Sequence, residues 1–223
     1  MPFPSCCNYR IETIHNDTIY VSQQGEIVAY DLSANELFQI AVGDKTPTGV
    51  IVDDDHIYVT PSSSGDIVIG STTVSERSSQ NNAFLFAFNH DLSLDWSDVV
   101  GISDAGNVYP TGLKFGANGT ISLLGYNSRP TGTTYTITNN AGSFTTNDYS
   151  YTISYQSDGS ELRHVTYPHR HVWGEVDAQD NLYVIGESRT TGEEKVYKYG
   201  SSGNLIWEIA DVLDYSMIAF DGN

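Results

Sequence analysis

The chain has 223 residues and a mass of 24.5 kDa, long enough to bury a core without disulfide staples. Acidic residues outnumber basic ones 28 to 10, giving a formal charge of −18, which excludes attraction to nucleic-acid phosphates and to anionic membrane surfaces. With 39 % hydrophobic and 12 % aromatic residues the chain is no disordered acidic tail, and no apolar run reaches the roughly 18 residues of a membrane span.

In chain order, residues 1–15 read as an N-terminal leader. The first seven residues lack the basic segment and apolar run of a signal peptide. Cys6 and Cys7 are the only cysteines, and adjacent residues can bridge only through a small strained ring, so free thiols are expected. From residue 16 onward the periodicity is of the strand type, and no segment carries a sustained helical stripe. Residues 211–217 could form a single helical turn.

Four kinds of strand recur in a fixed order. An apolar run ends in an acidic or glycine-rich turn at Val50-Ile51-Val52, Leu113-Lys114-Phe115 and Gly174-Glu175-Val176. A short β-rich strand follows, at Thr18-Ile19-Tyr20-Val21, Ile57-Tyr58-Val59, Thr120-Ile121-Ser122-Leu123-Leu124 and Asn181-Leu182-Tyr183-Val184-Ile185. An aromatic-alternating strand comes third, at Ile27-Val28-Ala29-Tyr30, Phe84-Leu85-Phe86-Ala87-Phe88, Tyr151-Thr152-Ile153-Ser154-Tyr155 and Lys195-Val196-Tyr197-Lys198-Tyr199. After a tight turn of the Ser157-Asp158-Gly159-Ser160 type, the fourth strand opens with Leu37-Phe38, Leu94-Asp95-Trp96, Leu162-Arg163-His164 or Leu205-Ile206-Trp207.

The result is a four-stranded meander repeated about every 55 residues, the size of a propeller blade. Ala83 to Trp96, Asp177 to Gly186, Val196 to Trp207 and Ile218 to Asn223 carry a degenerate resemblance to bacterial β-propeller repeats. That resemblance implies structural positions only and no catalytic family. The chain ends on Ser216-Met217-Ile218-Ala219-Phe220-Asp221-Gly222-Asn223, read as a first strand plus its turn with nothing after it, and opens, after the leader, on a second strand at Asn16-Asp17-Thr18-Ile19-Tyr20-Val21. The expectation is therefore an all-β domain over residues 16–223. It would be a four-bladed β-propeller of antiparallel meanders, closed by pairing of the C-terminal strand with the N-terminal blade. Strand exchange with a second copy is the alternative closure.

Few side chains suggest chemistry. Asp53-Asp54-Asp55 could offer hard oxygens to a cation, but the run aligns with plain turns at residues 116–119 and 177–180. His164, His169 and His171 lie close in sequence, and His169 and His171 share one face of an extended strand, yet their spacing is no zinc motif. No Gly-x-Ser-x-Gly elbow is present, and Glu193-Glu194 reads as a charged hairpin tip. No catalytic, cofactor-binding or metal residue is assigned.

Residues 62–82 and 128–148 are long insertions rich in Ser, Thr, Asn and Gly. The second alternates well enough to form an extended hairpin around Thr133 to Thr138 and Gly142 to Thr145. Such insertions map to one rim, where partners bind. Tyr9, Tyr20, Tyr109, Tyr126, Tyr149 and Tyr167 are candidate interface anchors.

The expected function is a non-catalytic interaction or assembly module without a cofactor, first of all a virion structural protein such as a phage tail or capsid-surface component. Its partners would be other proteins of the assembly, glycans or further copies of itself. A carbohydrate-binding module and a hydrolase or lyase with a central metal are the alternatives. The expected location is the virion, or otherwise the cytoplasm.

Overall fold

A computed structural model describes residues 9–103, 106–128, 133–188 and 191–210. Its first sheet is β1 (Arg10–His15), β2 (Thr18–Gln23), β3 (Glu26–Asp31) and β4 (Glu36–Ala41), in that order. There follow β5 (Gly49–Val52), β6 (His56–Thr60), β7 (Ser62–Ser63), the small hairpin β8 (Ile67–Ile69) and β9 (Thr72–Val74), then β10 (Asn82–Asn89) and β11 (Leu94–Ile102). The third meander uses β12 (Val108–Phe115) and β13 (Ile121–Asn127). It is interrupted by β14 (Tyr135–Asn139) and β15 (Gly142–Thr146), and resumes with β16 (Ser150–Tyr155) and β17 (Glu161–Tyr167). The last is β18 (Arg170–Val176), β19 (Leu182–Glu187), β20 (Glu194–Tyr199) and β21 (Leu205–Ile209).

Four meanders form, three of them from the strands expected and the first with a different first strand, and every strand run named from the sequence among the described residues falls in or beside a strand. Strand spacing and side-chain alternation explain why. In β10, Phe84, Phe86 and Phe88 enter one core with Tyr20, Ile27, Ala29 and Ile40. The alternate Ala83, Leu85 and Ala87 enter a second core with Leu113, Tyr151 and Tyr155. The strand period of two sends successive side chains to opposite faces, so β10 is buried on both. A third core, with Leu124, Tyr167, Leu182, Val184 and Tyr199, lies between the last two meanders. Three cores thus separate four successive sheets, and the first strands adjoin in series: β5 beside β1, β12 beside β5, β18 beside β12.

The single closed propeller is overturned. The sheets of the described residues are separate and open, with four, seven, four, four and two strands. Two local facts explain the difference. Residues 10–15, assigned to a leader, form β1 and pair antiparallel with β2 from Arg10 opposite Ser22 to His15 opposite Thr18. The N-terminal meander therefore supplies its own first strand, and the place beside β2 reserved for the C-terminal strand is taken. Second, the β14–β15 hairpin leaves its own meander and extends the neighbouring sheet to the order β15-β14-β11-β10-β6-β5, with Gly101 opposite Thr138 and Ile102 opposite Ile137. The expected C-terminal strand at residues 216–223, the helical turn at 211–217 and both cysteines lie outside the described residues.

Among the described residues no helix is long and apolar enough to cross a membrane.

Candidate binding face at the loop end of the sheets

Each meander has two ends. One carries the first-to-second and third-to-fourth turns, which close on their own aspartates. Asp53 accepts from the backbone N–H of Asp55 at 2.9 Å and of His56 at 2.7 Å. Asp31, Asp91, Asp158 and Asp177 bond the backbone two residues on in the same way, the local bond that makes aspartate a turn residue. Side-chain bonds from Asn35, Ser93 and Ser160 hold the carboxyls of Asp31, Asp91 and Asp158 below the usual range. The Asp53–Asp55 run is split among separate jobs. Asp53 closes its turn, while Asp54 faces His15 at 3.3 Å and Asn16 at 3.4 Å on the adjacent turn.

The other end gathers the long connections. The Lys45 ammonium donates to the Asn81 side chain at 2.7 Å, and the Asn81 N–H donates to the Asn107 side chain at 3.1 Å. The Asn107 N–H in turn donates to the Ser128 hydroxyl at 3.1 Å. These bonds lace four connections into one surface.

On that surface stands an aromatic cluster. Tyr109 and Tyr126 face each other across β12 and β13, with ring centroids 5.2 Å apart and planes 29° apart. Tyr149, just before β16, meets Tyr126 edge-on at 5.8 Å. The Arg170 guanidinium lies 4.6 Å over the Tyr126 ring, where the negative ring face attracts it, and donates to the Tyr126 hydroxyl at 3.1 Å. Glu187 sits 3.4 Å from the same guanidinium, and the two side chains keep 37 % and 42 % of their surface in solvent. The three tyrosines are half-buried.

The strand period places the neighbours of Arg170 on the opposite face. His169 and His171 are buried, and the His169 ring stacks on Tyr197 at 3.8 Å. A Cβ at Gly186 would stand 2.3 Å from the His169 ring, so only glycine lets that imidazole lie against β19. Burial pushes His169 down to about 4, against the opposing pull of Glu208, and pushes His171 well below the usual imidazole range. His164 lies elsewhere: its ring stacks on Phe144 of the inserted hairpin at 3.8 Å and its Nδ1 meets Glu161 at 2.7 Å. Among the described residues no group of three or more His, Cys, Asp or Glu side chains is placed to hold a metal ion.

Of the tyrosines singled out in the sequence, Tyr109, Tyr126 and Tyr149 come together at this face, whereas Tyr20 and Tyr167 enter cores. Sequence reasoning missed Arg170 and Glu187. A signal existed in the alternation of His169-Arg170-His171, where a strand that buries two imidazoles must send the arginine outward.

No family model and no curated protein matches the chain. Among solved structures the chain is similar to a protein of unknown function from Bacteroides caccae, at 9 % identity and a TM-score of 0.40, over 97 % of this chain and 86 % of that one.

Proposed function

We propose that this chain is a non-catalytic interaction module and that its tyrosine–arginine face holds another protein of an assembly, a virion being the first setting to test. The observation that carries this reading is the half-buried stack of Tyr109, Tyr126 and Tyr149 with Arg170 laid over it, at the end where the long connections meet. Tyrosine and arginine are enriched, with tryptophan, among the few residues that carry most of the energy at protein contacts, because each brings a large surface with a polar handle. The turn aspartates at the opposite end are committed to their own backbones, which supports a structural rather than a chemical role for them.

Mass spectrometry of purified particles, after cross-linking, tests the proposal. Cross-links from residues 107–109 and 126–128 to a second particle protein are expected, lost in Tyr126→Ala and Arg170→Ala. Absence of the chain from particles, or contacts confined to the aspartate-turn end, would overturn it.

A carbohydrate ligand is the second reading, favoured by the polar fringe of Asn107, Ser128 and Glu187 around the aromatic stack. It predicts glycan-array binding that Tyr126→Ala abolishes.

A further inference from the structure

The chain crosses from the third meander to the fourth between Tyr167 and Arg170, with His169 in the turn and His171 on β18, and both imidazoles sit in the seam between the meanders. His171 is fully buried, and neither of its ring nitrogens has a hydrogen-bond partner. Its backbone N–H donates to the Ser150 hydroxyl on β16 at 2.8 Å, and its ring lies 4.8 Å from that of Tyr167. The His169 ring lies 5.7 Å from that of His171, between Tyr197 and the Tyr199 hydroxyl, which is 3.1 Å from its Nε2.

We propose that His169 and His171 form an acid-sensitive latch: proton uptake by the pair opens this turn and frees the fourth meander from the third. The surroundings offer little to a positive charge. From β17 comes Tyr167, with the charge of Arg163 reaching it; from β20 come Tyr197 and Tyr199; from β16 come the Ser150 hydroxyl and, against Tyr167, the Thr152 hydroxyl. β19 presents Gly186, which has no side chain. Glu208 on β21 is the carboxylate that favours a charged His169, and burial outweighs it. Asp148 acts on Tyr199. A first charge at His169 disfavours a second at His171, only one ring away.

The sign follows from linkage. Both histidines are held below the free imidazole value, so the open form takes protons first. The latch is closed at neutral pH and weakens as pH falls below about 6.5. Between pH 7 and pH 5 each imidazole raises the open population roughly 25-fold, and the pair roughly 600-fold. Opening also carries Arg170 away from Tyr126, so acid would dismantle the exposed stack whatever that stack binds.

Hydrogen exchange at pH 7, 6 and 5, corrected for the intrinsic rate, tests the latch. In the wild type the amides of β18 and β19 should open several hundred-fold more at pH 5 than at pH 7, while those of β10 stay protected. His169→Phe and His171→Phe should each reduce the rise to about 25-fold, and the double variant should remove it. An equal rise in the double variant, or loss of β10 protection together with β18, would overturn the proposal. A readout free of variants is the titration of the ring carbon resonances in the wild type. Protonation of both rings near pH 6.5 in the closed protein would sink the latch.

Discussion

Asp98 is 2 % exposed, yet its carboxylate is fully used. One oxygen accepts from the N–H of Val99 at 2.7 Å and of Asn140 at 2.8 Å, and the other accepts from the Tyr155 hydroxyl at 2.8 Å. Three pieces of chain meet there: β11, the turn of the inserted hairpin and β16. Burial, reinforced by the Asp98 charge, pushes the Tyr155 phenol well up, so it remains a donor at every relevant pH. Asp98→Ala strands two buried donors, the Val99 N–H and the Tyr155 hydroxyl, and frees the Asn140 N–H at the hairpin turn, and should cost about 3 kcal/mol in urea denaturation. Asp98→Asn keeps the shape but loses the charge-assisted bonds, and should fall between the two. Equal midpoints for wild type and Asp98→Ala would show that the hairpin turn is held by something else. Nothing in the local sequence Asp95-Trp96-Ser97-Asp98 distinguishes this buried aspartate from the solvent-facing ones, because its partners lie 42 and 57 residues away.

At the scale of elements, what was legible was local. Phe84 to Phe88, Tyr151 to Tyr155 and Lys195 to Tyr199 alternate, and each became the third strand of a meander, because alternation and turn chemistry act over a few residues. Pairing between distant elements leaves no such trace. The hairpin at residues 135–146 was readable as a hairpin, but not as two further strands of the preceding sheet. β1 was hidden because Arg10-Ile11-Glu12-Thr13-Ile14-His15 is mixed in polarity, with Ile11 and Ile14 largely exposed. The candidate face was half legible: its tyrosines drew attention individually, while their convergence depends on the register that sets Tyr109 opposite Tyr126. The hairpin's docking makes a direct prediction. Ile137 is fully buried in the second core, where it packs with residues of β10 and β16, so Ile137→Ala should lower stability by about 3 kcal/mol. A hairpin merely tolerated as surface length would leave the unfolding midpoint unchanged.

For the whole molecule, cohesion depends on how closely successive sheets approach. A Cβ at Gly49 would stand 2.6 Å from the Leu113 backbone nitrogen, so β5 and β12 touch through their main chains. Backbone cannot swing aside as a side-chain end can, and Gly49→Ala should cost about 2–3 kcal/mol, read as a lower thermal midpoint. Charge acts at the same scale and in the opposite sense to the usual reading of ion pairs. Lys114 with Glu175, Arg163 with Asp180, Arg170 with Glu187 and Lys195 with Glu208 tie elements of the third and fourth meanders, and salt weakens each slightly. With 28 acids against 10 bases, however, most carboxylates have no cation to meet, and their mutual repulsion is spread over the entire surface. Screening shortens the reach of that repulsion from about 30 Å at 0.01 M salt to under 8 Å above 0.15 M. Relief of a surplus of eighteen charges outweighs the loss at a few exposed pairs, since each such pair contributes at most about 1 kcal/mol. The thermal midpoint should therefore rise by about 2–5 °C between 0.01 M and 0.5 M sodium chloride at pH 7.5, a pH that keeps both buried histidines neutral. A midpoint that falls with salt would mean that the ion pairs, not the unpaired carboxylates, dominate the electrostatics of the fold.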